Sequence, residues 1–169
     1  ISEKKLFKVK QLTESSIKGS SIAIISEFKD ELYKVKENTN NLYDNIKDLK
    51  TKIDMMLKAY ERAEILDRKL HESLLNNRNK ILDLHKKFRG SQVRKEIGEE
   101  NDYPTIWSYL WSANSGAYTT YGPTKSHKKS LDIAHKIFLD IETDYKKIEK
   151  AIKPLYYQLN KIGAPKIKK

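Results

Sequence analysis

Between Ser20 and Arg89 the chain contains neither Gly nor Pro, and from Phe28 onward its apolar residues recur at alternating steps of four and three. Phe28, Leu32, Val35, Thr39, Leu42, Ile46, Leu49, Ile53, Met56 and Tyr60 form the row, and Ala63, Leu70, Leu74, Ile81, Leu84 and Phe88 continue it past the polar Asp67 and Asn77. Steps that average 3.5 residues keep one stripe turned toward a partner under a left-handed supercoil. The stretch is therefore helix, and a helix with so narrow an apolar stripe needs other helices to cover it. Two geometries satisfy this. One is a continuous rod of about 61 residues, roughly 90 Å long, which must bury its stripe against another chain. The other is an antiparallel hairpin with its turn within Leu57 to Leu66, so that the two halves bury each other. Lys58 to Ala63 is itself a good helix former, so compactness decides, and it favours the hairpin.

A second long helix closes the sequence. Thr124 follows a Gly122-Pro123 turn as an N-cap, and Leu131, Ala134, Phe138, Ile141, Tyr145, Ile148, Ile152, Leu155, Leu159 and Ile162 recur at steps of three and four before Gly163 and Pro165. Pro154 stands inside this pattern, where it removes an amide and presses on the Lys150 carbonyl, so a kink or break is expected near Lys150 to Lys153. Between the two helical regions, Arg89-Gly90 ends the first, and Ser91 to Asp102 reads as a polar loop. Tyr103 to Tyr121 then holds six of the chain's sixteen aromatic residues. Pro104 suits the first position of a short helix that runs to about Ser115, with Gly116 to close it. At the start of the chain, Phe7 and Val9 alternate with Lys8 and Lys10 as in a half-exposed strand that ends an upstream module, and Thr13 to Ser21 reads as a linker. The expected organisation is thus residues 1–19 as strand and linker, a hairpin over 20–90, a loop over 91–102, an aromatic helix over 103–116 and a last helix over 124–163. The fold class is all-α, a three-helix, coiled-coil-like bundle in one helical domain over 20–169.

The 169 residues carry 34 Lys and Arg against 23 Asp and Glu, which invites a nucleic-acid reading. The surplus sits at the ends. Residues 21–62 hold eight basic and eight acidic side chains interleaved at helical spacing, whereas 104–169 hold twelve lysines and five acidic residues. A phosphate-binding stripe should carry one sign, so the balanced middle argues against nucleic acid, and Lys146, Lys147, Lys150 and Lys153 read first as the solvated face of the last helix. No cysteine is present, which excludes thiol chemistry, thiolate metal sites and disulfides. No run of 18 apolar residues and no signal-peptide pattern occur.

Chemistry is sparse. His71, His85, His127 and His135 lack the i, i+4 spacing of a helical metal site, and exposed histidines are the simpler reading. Glu96, Glu99, Glu100 and Asp102 form the densest acidic cluster, but in a polar loop with nothing apolar to raise a carboxyl pKa. Ser108, Ser112 and Ser115 lack the strand-turn-helix context of a nucleophile elbow, and no glycine pattern fits a phosphate loop. No enzyme reading and no cofactor emerges. The aromatic segment is the sharper candidate. Exposed Trp107, Trp111 and Tyr118 would form a platform for sugar rings or a partner. The competing and favoured expectation is that they plug one end of the bundle, each burial contributing roughly 1.5 to 3 kcal/mol.

These landmarks resemble the C-terminal helical domain of bacterial sortilin-like, BNR-repeat β-propeller proteins, often labelled glycosyl hydrolases. Phe7-Lys8-Val9-Lys10 is similar to the strand closing the preceding β-rich module of that family. Tyr103-Pro104-Thr105-Ile106, with the run from Trp111 to Tyr118, is similar to its Pro-Ser-Ile and Leu-Trp, Ser-Gly segments. Gly122-Pro123-Thr124 is similar to its Ala-Pro-Thr helix entry, and Ile162-Gly163-Ala164-Pro165 to its closing Gly-Ala-Pro. This chain departs where relatives carry Pro or Gly between the first two helices, where they carry Gln in place of His127, and at its Lys166-Ile167-Lys168-Lys169 end. The resemblance implies an extracytoplasmic location and a non-catalytic accessory or interaction module, with upstream propeller and β-sandwich-like modules as partners. Any hydrolase activity would belong to the propeller. The alternative is a carbohydrate- or anionic-polymer-binding module that uses the aromatic segment or the lysine-rich face.

Overall fold

The computed structural model describes residues 18–101 and 103–166, without the side chain of Gln92. Five helices follow in order: α1 (Ile22–Tyr60), α2 (Arg68–Arg89), α3 (Gln92–Glu96), α4 (Ile106–Ala117) and α5 (Lys125–Lys161). The expected strand at Phe7 to Lys10 lies outside the described residues.

The heptad row is the core. Every α1 position in it, from Phe28 to Tyr60, is buried, as are Leu70, Leu74, Asn77, Ile81, Leu84 and Phe88 of α2. The α5 row is buried from Leu131 to Ile162 except for the half-buried Tyr145. The chain forms a hairpin, not a rod. Its turn lies within the expected Leu57 to Leu66 window: Leu57 to Tyr60 remain helical, and Asp67 is the N-cap of α2, accepting from the amides of Lys69 (2.9 Å) and Leu70 (3.1 Å). No breaker residue makes this turn. It is held from outside: Tyr60 Oη donates to the Asp67 carbonyl at 3.1 Å, and the Ile65 amide donates to the Ile162 carbonyl at 3.2 Å. Gly163, at φ 70°, follows the end of α5 where an added Cβ would lie 2.8 Å from Glu64 Cδ.

At the opposite end the Ser20 amide donates to the Tyr121 carbonyl at 2.9 Å, so α5 starts beside the start of α1 and runs parallel to it. α2 has 22 residues against 39 in α1 and 37 in α5, and covers little more than half their length. α4 supplies the rest. Arg89 of α2 lies over Trp107, Asn114 meets Lys36 and Tyr118 meets Tyr33, while Ser112 and Ser115 meet Ser130 and His127 of α5. Residue numbers rise along α4 as they fall along both neighbours, as they do along α2. α4 therefore extends the third column of the bundle above α2 instead of crossing its end.

This corrects the plug expectation. Ile106, Leu110, Ala113 and Ala117 are the side chains that fill the core between α1 and α5, while Trp111 is 78% exposed, Tyr118 68% exposed, and Trp107 only partly buried. A column packed along its length, unlike a lid, needs small and medium residues on its inner stripe and leaves large rings outside. Local ends shift too. Thr105, not Pro104, opens α4, closing a capping box with Ser108, and Gly116 lies within the helix, where an added Cβ would collide with the His127 ring. The Ser91 hydroxyl starts a short α3 inside the expected loop by accepting from the Arg94 amide at 3.4 Å. Pro154 does not break α5, which runs unbroken to Lys161.

Candidate functional site

α4 carries no charged side chain, and its outer face meets a row of α1 residues one position away from the buried stripe. That row is Lys29, Tyr33, Lys36, Asn40, Tyr43 and Lys47, spaced so that all fall on one helix face. The two faces and the end of α2 enclose a groove of about 430 Å³ lined by Lys36, Asn40, Arg89, Trp107, Leu110, Trp111 and Asn114. Clefts of this size hold small ligands. Lys36 Nζ donates to Asn114 Oδ1 at 3.1 Å and lies 5.9 Å from the Tyr33 ring centre. The Arg89 guanidinium is 5.1 Å from the Tyr43 ring centre and 5.9 Å from that of Trp107, within cation–π range of both. Lys29 lies 5.8 Å over Tyr118, whose hydroxyl is 3.2 Å from that of Tyr33 and raises the Tyr33 phenol above its ordinary pKa.

Two features set this groove apart. Among the described residues, Lys36 and Arg89 form no ion pair and no carboxylate lines the groove. Three other grooves contain acidic residues: Asp83 and Asp144 between α2 and α5, Glu142 between α1 and α5, and Glu99 and Glu100 in the groove beside α3, on the other side of Arg89 and Trp107. The Trp107 ring also lines the groove, and its indole Nε1 is fully buried with no hydrogen-bond partner among the described residues.

The histidines are structural. Only His135 is exposed. His71 stacks on Tyr60 at 4.8 Å, and His85 Nε2 bonds Tyr43 Oη at 3.0 Å. Burial, with the neighbouring cations Arg89, Lys50 and Lys47, holds His85 below its ordinary pKa. His127 takes the place of a capping-box carboxamide: the Thr124 amide donates to its Nδ1 at 3.1 Å, and its own amide donates to Thr124 Oγ1 at 3.4 Å. Nδ1 being the acceptor, Nε2 carries the proton and donates to Ser115 Oγ at 3.3 Å, whose own proton goes to the Ser112 carbonyl at 2.7 Å. The pair therefore has its polarity set against base catalysis. Among the described residues no group of three or more His, Asp or Glu is placed to hold a metal ion, and no helix is long and apolar enough to cross a membrane. Glu96, Glu99 and Glu100 are exposed, Arg94 Nε lying 3.9 Å from Glu99 Oε2, and Asp102 lies outside the described residues.

Of the residues singled out from sequence, Trp107, Trp111 and Tyr118 fall on one face. The lysines do not form one stripe. Lys146 pairs with Glu142 at 3.0 Å on the α1 side, Lys147 pairs with Asp144 at 3.4 Å and lines the α2 side, and Lys150 and Lys153 are exposed beyond them. All four lie away from α4. Lys36, Asn40, Arg89 and Asn114 were not apparent as site residues; the signal for three of them was the Lys29-to-Lys47 row itself and the run of α4 without charge. The chain matches no family model, no curated protein and no solved structure.

Proposed function

We propose that this chain is a non-catalytic docking module, and that the α1–α4 face is the surface through which it acts. The observation that carries the reading is Trp111, 78% exposed on a helix without charge, beside two cations that have no carboxylate partner among the described residues. A large ring in water costs free energy that a partner recovers by covering it, which is why exposed aromatic clusters mark interaction surfaces. The wider context in this proposal is that of a C-terminal accessory module of an exported, extracytoplasmic bacterial protein with a propeller upstream. It rests on the four short sequence resemblances. The hairpin and the α5 entry capped by Thr124 are compatible with it. The lysine-face alternative loses support, because Lys146 pairs with Glu142 and Lys147 shares Asp144 with Lys87.

Photo-crosslinking in the full-length protein, expressed in its own host, tests the docking reading. A benzophenone amino acid inserts into any nearby C–H bond, so it captures proteins and glycans alike. Placed at Trp111 it should give a discrete adduct, and placed at Lys153 none. Adducts at neither position, or equally at both, contradict the reading.

A further inference from the structure

We infer that the groove between α1 and α4 binds a carboxylated glycan. The inference rests on the docking reading above and names the chemistry of the partner. Three properties of the groove converge on it. First, charge: Lys36 and Arg89 line it, and no Asp or Glu among the described residues does, so an anion entering it meets cations that share their charge with no described carboxylate. Arg89 lies against the Tyr43 and Trp107 rings, which leaves its N–H edge to bond a carboxylate in its plane. Second, stacking: Trp107 and Trp111 stand one helical turn apart, and Trp111 offers its ring to solvent as the apolar face of a sugar ring requires. Third, neutral polar groups: the Asn40 and Asn114 carboxamides suit hydroxyls and a ring oxygen.

The proportion of these groups selects among anionic polymers. Two cations beside two carboxamides suit a ligand with one charge among several hydroxyls. A polynucleotide carries a charge on every unit and calls for an extended one-signed track, whereas α1 away from this face alternates in sign. A run of Asp and Glu supplies the charge but no flat apolar face for Trp111.

The test is calorimetric titration of the whole chain with oligogalacturonate, its methyl ester, a neutral cello-oligosaccharide and a thymidine oligodeoxynucleotide. Oligogalacturonate should bind, and methyl esterification should weaken it by about tenfold, the scale of one lost charge-assisted hydrogen bond. Arg89→Gln, Lys36→Gln and Trp111→Ala should each weaken binding by about tenfold or more with the thermal midpoint unchanged for Trp111→Ala, while Lys153→Gln should leave it as it was. Equal binding of the neutral or esterified sugar removes charge from the account and overturns the proposal. Preference for the oligonucleotide, or binding indifferent to Trp111, overturns it as well. Absence of any sugar binding together with a crosslink at position 111 overturns the glycan while leaving the docking surface standing.

Discussion

The two ends of the bundle satisfy their third column by opposite means. Around α2 the flanks are stitched by shared carboxylates: Asp54 accepts from Lys50 at 2.9 Å and from Arg78 of α2 at 2.7 Å, and Asp144 of α5 accepts from Lys87 at 3.0 Å and pairs with Lys147. Around α4 the flanks are hydroxyls, amides and rings; of the cations facing it, Lys36 and Arg89 have no carboxylate partner among the described residues, whereas Lys47 pairs with Asp44 of its own helix. Both ends bury an apolar stripe equally well, since Ile46, Ile81, Ile106 and Ile141 are all fully inaccessible. The difference lies entirely in the outer rim. It teaches that stability here comes from the stripe, and that the unneutralised rim around α4 is free to serve recognition.

The strongest attempt to break this comparison is to truncate the stripe at both ends. Ile46→Ala and Ile106→Ala should each destabilise the chain by roughly 3 kcal/mol, since each leaves a cavity in a packed core. A much smaller loss at Ile106, measured by urea denaturation, would mean that α4 is only loosely attached. Gly163→Ala should cost about 1 to 2 kcal/mol at the hairpin end, because φ 70° and the Glu64 side chain both oppose a Cβ. Asp54→Asn should cost about 1 kcal/mol, as half-exposed pairs do.

That pair also gives the α2 end a pH dependence. Burial works to raise the Asp54 carboxyl, but hydrogen bonds from Arg78 and Lys50 outweigh it and hold the group below its ordinary range; Lys87 does the same for Asp144. The folded chain therefore binds fewer protons than the unfolded one near pH 4. The stabilisation is complete above the unfolded carboxyl value of about 4 and is lost as pH falls through the lower folded value. Denaturation midpoints of the wild type and Asp54→Asn should converge below that window. At the α4 end, His127→Ala should cost about 0.5 to 1 kcal/mol through its lost cap. Trp111→Ala should shift stability by less than about 0.5 kcal/mol, because the ring is mostly in water.

Most of this architecture was legible. The four-three spacing located the buried face of α1, α2 and α5, since burial of that face is the only favourable use of such a row. Asp67 was visible as an interruption but not as a cap, because a turn without Gly or Pro leaves no local mark; the bond from Tyr60 across the turn and the long-range bond from Ile65 to the Ile162 carbonyl define it. The place of α4 was hidden for a similar reason. Its two tryptophans read as core by size, yet whether a short helix caps a bundle or lengthens one column depends on the mismatch between α2 and its neighbours. That mismatch needed the true turn position. The site was half legible: α4 announced its rings, but Arg89 reaches them only through the end of a different helix.

The most direct test of the central claim is an amide and indole chemical-shift map of the whole chain titrated with oligogalacturonate. The account predicts shifts confined to the Trp111 and Trp107 indoles, the Asn40 and Asn114 side chains and their neighbours, with the signals of Asn77, Arg78 and Lys150 to Lys153 unmoved. Shifts centred on Lys146 to Lys153, or none at the Trp111 indole at ligand saturation, would contradict it.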